Sequence, residues 1–107
     1  MISNLLIVGL EGLTLTDHEK DFLEKYQPAG VILFSRNYES PAQLVELIAS
    51  IQELAHDKSF FISVDQEGGR VQRFKKKFTL IPAAMEIAKK NSPKLVFDYY
   101  HHMGLEL

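Results

Sequence analysis

The sequence predicts an α/β fold built on a parallel sheet, and three observations carry that prediction. Three short runs, near Leu5 to Gly9, Val31 to Phe34 and Phe60 to Val64, are apolar but for Ser63 and do not alternate, the pattern of strands covered on both faces. Between them lie two segments that open with helix-start grammar. The second also places Leu44, Leu47, Ile48, Ile51 and Leu54 at the three- and four-residue spacing of one helix face. A strand-helix-strand order implies right-handed crossovers and parallel neighbours. Over three such units a doubly wound sheet and a (β/α)8 barrel read alike. A barrel usually needs about 250 residues, so a chain of 107 residues would hold less than half of one.

Taken in order, the first run ends at Glu11-Gly12, which reads as a turn, and Thr16 with Glu19 three residues later has the form of a capping box. A helix is expected from about Asp17 to Lys25, ended by Pro28 and Gly30. Ser40-Pro41-Ala42-Gln43 repeats the grammar, with Pro41 where its missing N–H is harmless and Gln43 expected to close the box. The helix should run to Ala55. After Asp65 a long basic loop, Gln66 to Pro82, holds Gly68-Gly69. A short helix is expected over Ala83 to Lys90, and Ser92-Pro93 should start a last one reaching about Gly104.

Composition narrows the function classes. With 46% hydrophobic and 24% charged residues the chain falls among folded globular domains rather than disordered ones. A formal net charge of −2 offers no general attraction for nucleic acid or anionic lipid, so neither is an expected partner. The chain has no cysteine, which excludes disulfides, thiolate metal sites and cysteine nucleophiles. No run approaches the roughly 20 apolar residues of a membrane-spanning helix. Leu5 to Leu10 lacks a basic flank and is soon followed by Glu11, so it reads as a strand rather than a secretion signal.

The chemistry concentrates in Val64-Asp65-Gln66-Glu67-Gly68-Gly69-Arg70-Val71-Gln72-Arg73-Phe74. An acid at the C-terminal end of a strand occupies the position where α/β proteins collect functional groups. A carboxylate accepts hydrogen bonds from sugar hydroxyls, and a guanidinium donates several in a fixed fork. Two glycines permit a sharp turn and a close approach to a ligand. The residues alone leave a second reading equally open, in which Asp65 caps a turn and the glycines only make the bend.

This segment resembles the signature of family 3 glycoside hydrolases, and specifically their β-N-acetylglucosaminidase branch. Val8-Gly9-Leu10-Glu11-Gly12-Leu13, Gly30 through Ser35-Arg36-Asn37-Tyr38, and Phe78-Thr79 with Ile81-Pro82-Ala83 resemble other stretches of the same family, in the same order. The resemblance implies that residues 1–107 are the N-terminal portion of a (β/α)8 barrel domain, about three βα units, truncated at its C-terminus. It implies cofactor-free removal of terminal N-acetyl-β-D-glucosamine by a retaining mechanism, in the recycling of peptidoglycan fragments. By the same resemblance Asp65 accepts from sugar hydroxyls and Arg73 donates in the same subsite; Arg70 does not carry over as a sugar contact, and Glu67, Gly68, Gly69 and Arg70 read as bracing the loop. A cytoplasmic location is expected from the family's wall-recycling members.

The catalytic pair is not expected in this chain. Retaining hydrolysis needs a nucleophile and a separate acid/base serving one glycosidic bond. In this branch the nucleophile is an aspartate on a late loop, and the proton shuttle is a histidine paired with an aspartate in a Lys-His-Phe-Pro-Gly-His-Gly context. That context is absent here. His18, His56, His101 and His102 fall in or beside predicted helices, and the adjacent His101 and His102 cannot form an i, i+4 metal pair; no metal site is assigned. Lys75-Lys76-Lys77 reads as a solvated basic loop, and Phe34 and Phe74 as packing residues. The chain alone is therefore expected to be inactive. The alternatives are a non-catalytic amino-sugar-binding module or a split-enzyme fragment, and a partial barrel with open edges is expected to self-associate or take up a missing C-terminal portion.

Overall fold

A computed structural model describes residues 2–107. The chain forms two compact units, Met1–Val64 and Asp65–Leu107. In the first, β1 (Ile7–Gly9), β2 (Gly30–Leu33) and β3 (Phe61–Val64) alternate with α1 (Asp17–Tyr26) and α2 (Pro41–Leu54). The strands lie in chain order β1-β2-β3 and both pairings are parallel, with Val8 opposite Val31 and Leu33 opposite Val64. The α/β class and the three adjacent parallel strands expected from the sequence are present.

Cover on both faces holds only for β2. Val31 and Leu33 are buried, whereas Ile7 and Phe61 on the flanking strands are half exposed. Each flanking strand has one hydrogen-bonded neighbour among the described residues. The first strand is also shorter than its apolar run, because Ile2–Leu5 forms a 3-10 turn. Proline at 28 has no N–H for a ladder, and the parallel register begins only with Ile7 opposite Gly30.

The helix starts follow local chemistry. Thr16 and Glu19 make the expected box, with Glu19 N–H donating to Thr16 Oγ1 (3.1 Å) and Thr16 N–H donating to Glu19 Oε2 (2.8 Å). Ser40 caps α2 by accepting from Gln43 N–H (3.2 Å), but Gln43 does not return the bond to Ser40. Its Oε1 accepts from Glu39 N–H, and its Nε2 donates to the carbonyls of Leu13 and Asn37. An amide carries acceptor and donors, so it bonds three backbone groups where a carboxylate could only accept. Gln27 works in the same way at the other end of the helices. It takes a left-handed conformation (φ 45°), donates to the carbonyls of Leu23, Glu24 and Leu54, and accepts from His56 N–H. One side chain thus ties the C-termini of α1 and α2.

In the second unit the expected loop from 66 to 82 contains an antiparallel hairpin, β4 (Gln66–Gly68) and β5 (Val71–Gln72). The short strands carry polar residues and escape an apolar-run search. Two helices follow, α3 (Ala84–Ala88) and α4 (Pro93–Glu106). Ile81, Ile87 and Met103 form a core cluster, with Leu95, Tyr99 and Tyr100 packed against it.

Candidate functional site

The hairpin explains why residues eight apart in sequence meet. Gln66 pairs with Gln72 across the ladder, so continuing the antiparallel register one step outward sets Asp65 opposite Arg73. Directly opposed residues share a face and their neighbours along each strand take the other. Asp65 Oδ2 lies 3.6 Å from Arg73 Nη2, an ion pair too long for a hydrogen bond. The two side chains retain 43% and 30% of their exposure, respectively. A partly exposed pair of this kind contributes about 0–1 kcal/mol to stability.

The backbone on both sides of the pair is tied down by amides. Gln66 Oε1 accepts from Phe74 N–H (3.0 Å) and its Nε2 donates to Phe74 O (2.9 Å), a reciprocal bond that mimics a peptide pair. The buried Gln72 donates to the carbonyls of Phe74 and Thr79 and accepts from Ile81 N–H. Phe74 is buried and stands beside Phe78, with ring centroids 5.6 Å apart, so it packs rather than offering a face to a sugar. Arg73 is therefore held between two anchored residues.

The glycine pair has both conformational and spatial reasons. Gly68 and Gly69 have φ of 98° and 61°, a region that other residues rarely enter. A Cβ on Gly68 would collide with the carbonyl oxygens of Pro82 and Ile81, and one on Gly69 would come within 2.7 Å of Ala83 Cβ. Gly69 N–H also donates to Ile81 O (2.7 Å). Glu67 is exposed and takes part through its backbone carbonyl, which accepts from Tyr100 Oη (3.1 Å). Arg70 is exposed, and the side chains that visibly cross-link this loop are Gln66 and Gln72.

Some residues do work that the sequence reading passed over. His102 and Glu106, one helical turn apart on α4, meet Thr79: its hydroxyl donates to Glu106 Oε1 (2.7 Å) and lies 3.0 Å from His102 Nε2. Thr79 N–H donates to the same carboxylate. These bonds, led by the Thr79 hydroxyl and N–H and followed by the charge of His102, hold the Glu106 carboxyl below the usual glutamate range. His102 is thus a clamp residue rather than a freely solvated one, while His101 is exposed and stacks on Phe97. The i, i+4 spacing of His102 and Glu106 was the available signal. No cluster of metal-ligating side chains occurs among the described residues.

A concavity of about 570 Å³ in the first unit is lined by Asn4, Gln27, His56, Asp57 and Lys58. It lies where β2 and β3 begin, the end of a parallel sheet that serves stability rather than chemistry. There the Ser59 N–H and hydroxyl hold the Asp57 carboxyl below its ordinary range.

Residues 2–107 match the family described as "Glycosyl hydrolase family 3 N terminal domain". The chain belongs to glycosyl hydrolase family 3. Among its relatives, a beta-hexosaminidase of Hydrogenovibrio crunogenus is 52% identical over 84 residues, covering 78% of this chain and 23% of the relative. A family 3 beta-N-acetylglucosaminidase from a Paenibacillus species superposes with a TM-score of 0.88 at 31% identity, over 96% of this chain and 20% of that one. NagZ of Neisseria gonorrhoeae, solved in complex with N-trifluoroacetyl-D-glucosamine, gives a TM-score of 0.72 at 35% identity, over 84% of this chain and 28% of that one. The chain thus spans about a quarter of the length of these proteins, and its three parallel strands correspond to part of a family 3 barrel-type domain.

Proposed function

We propose that the chain supplies part of the sugar subsite of a family 3 β-N-acetylglucosaminidase, with Asp65 accepting from sugar hydroxyls and Arg73 donating to the same sugar. The observation that carries this reading is the Asp65–Arg73 pair. Two partly exposed opposite charges stand 3.6 Å apart, beside backbone fixed by the buried Gln72. An arrangement worth so little to folding is well suited to a polyhydroxylated ligand, which needs acceptors and donors together. The beta-hexosaminidase relatives and the amino-sugar complex of the gonococcal NagZ support the choice of an N-acetylglucosamine-containing saccharide.

In this reading the complete protein hydrolyses terminal N-acetyl-β-D-glucosaminides of peptidoglycan fragments in the cytoplasm, and the 107-residue chain alone does not. Positioning a sugar does not replace the nucleophile and proton shuttle that the two steps require. The test is an assay of purified chain on an aryl N-acetyl-β-D-glucosaminide, repeated after adding a separately expressed C-terminal remainder. No turnover alone and turnover on mixing is the expected result. Turnover by the chain alone, surviving repurification and a host-enzyme control, overturns this assignment. The second reading is a non-catalytic amino-sugar-binding module, in which Asp65 and Arg73 hold a sugar without turning it over. Titration with N-acetylglucosamine that saturates, with no activity on mixing, would establish it.

A further inference from the structure

Arg36 stands three residues beyond the C-terminal end of β2, on the side of a parallel α/β sheet where ligands are taken up. Its side chain is held in one place by three separate contacts. Nε donates to Leu10 O at 2.7 Å. The guanidinium carbon lies 4.9 Å from the centroid of the Phe34 ring, within cation–π range. A Cβ on Gly9 would approach Nη2 to 3.1 Å, so the glycine leaves the guanidinium the space it occupies.

The charge so placed has no ion-pair partner among the described residues, and Arg36 is exposed. The loop itself is held by Asn37, which donates to the carbonyls of Leu10 and Gly12 and accepts from Phe34 N–H. A brace for Leu10 O would need one neutral donor, not a stacked cation. Orienting a guanidinium in advance reduces the ordering that binding requires, and its planar fork matches a carboxylate.

We infer that Arg36 is a recognition residue for a carboxylate carried by an acidic saccharide; the saccharide part rests on the function proposed above, and the carboxylate part rests on Arg36 alone. The test follows the Nε–H resonance of Arg36 in isotope-labelled chain, assigned by its loss in Arg36→Gln. The probes are an N-acetylglucosaminide with a carboxyalkyl aglycone, its methyl ester, N-acetylglucosamine and propionate. The acid should shift the resonance saturably and bind about tenfold more tightly than the ester, the difference expected for one charge-assisted bond at an exposed site. Phe34→Leu should reduce that preference while leaving Arg36 in place. Equal binding of acid and ester, or an Arg36 resonance that the acid does not move, overturns the inference. A propionate response equal to that of the acid would keep the carboxylate and remove the saccharide. N-acetylglucosamine that leaves the signals of Asp65 and Arg73 unmoved would instead defeat the proposed subsite, and the acid-against-ester comparison would still decide Arg36.

Discussion

The loop after β2 and the hairpin after β3 are both held by a buried amide with three hydrogen bonds to backbone, yet the bonds reach very different distances along the chain. Asn37 bonds Leu10 and Gly12, which lie 27 and 25 residues away, and Phe34 nearby. Gln72 bonds Phe74, Thr79 and Ile81, none more than nine residues away. The first amide joins two βα units, whereas the second closes a local structure. In both regions the amide is inside and a charged group is left outside, Arg36 in one and the Asp65–Arg73 pair in the other. The framework contacts thus fall to amides, and the residues proposed to meet ligand are charged.

Replacing each amide is the strongest way to test that contrast. Asn37→Ala should destabilise the chain by about 3 kcal/mol, since it removes the bonds to the Phe34 N–H and the Gly12 carbonyl and one of the two donors to Leu10 O. Urea denaturation measures this, and a loss below about 1 kcal/mol would mean that water replaces the bonds. Gln72→Ala should cost less, about 2 kcal/mol, because its partners lie in a local segment that can rearrange together. Its distinguishing effect should be a shift of the Arg73 resonances, with those of Arg36 unchanged.

Removing the outer charge should do the reverse. Asp65→Ala is expected to alter stability by no more than about 1 kcal/mol, as for any partly exposed ion pair. In the complete protein, assayed for the proposed activity, the same change should lower kcat/KM by about a hundredfold, since the proposed charged partner of the sugar is lost. Kinetics within about twofold of the parent, on that scale, would leave Asp65 as a turn residue only.

The smallest effect belongs to the clamp of Thr79 by α4. The Glu106 carboxyl is held below its ordinary value by Thr79 and, to a lesser degree, His102. A group whose folded value is depressed adds stability above its unfolded value and loses it as pH falls through the folded one. Acidification should therefore weaken the clamp, and Glu106→Gln should flatten that part of the acid limb in a melting-temperature profile. An unchanged profile would show that the carboxylate adds nothing in solution.

Much of the frame was legible because its causes are local. The apolar runs marked all three parallel strands, and Thr16-Glu19 and Ser40-Pro41 marked two helix starts. Side chains that choose among distant partners were less legible. Gln43 has a sequence position that suits a box with Ser40, yet the carbonyls of Leu13 and Asn37 engage it. The hairpin was missed because Gln66–Gly68 and Val71–Gln72 are held by amides and a turn rather than by apolar alternation. His102 was missed because its partner Thr79 lies 23 residues away.

By itself the sequence determined the α/β class, the order of the strands, the need for glycine at the turn and the resemblance centred on Asp65 and Arg73. These follow from periodicity, capping and backbone conformation, which act within a few residues. Only the tertiary structure decided that Gly68 and Gly69 adopt positive φ against Pro82 and Ala83, that Gln66 and Gln72 align the two charges, and that Arg36 lies over Phe34 with its Nε on Leu10. Those outcomes depend on which polar groups are brought close enough to satisfy one another once the segments pack. A buried donor or acceptor accepts whichever partner the fold places within reach, and that choice is not written in the spacing of the residues.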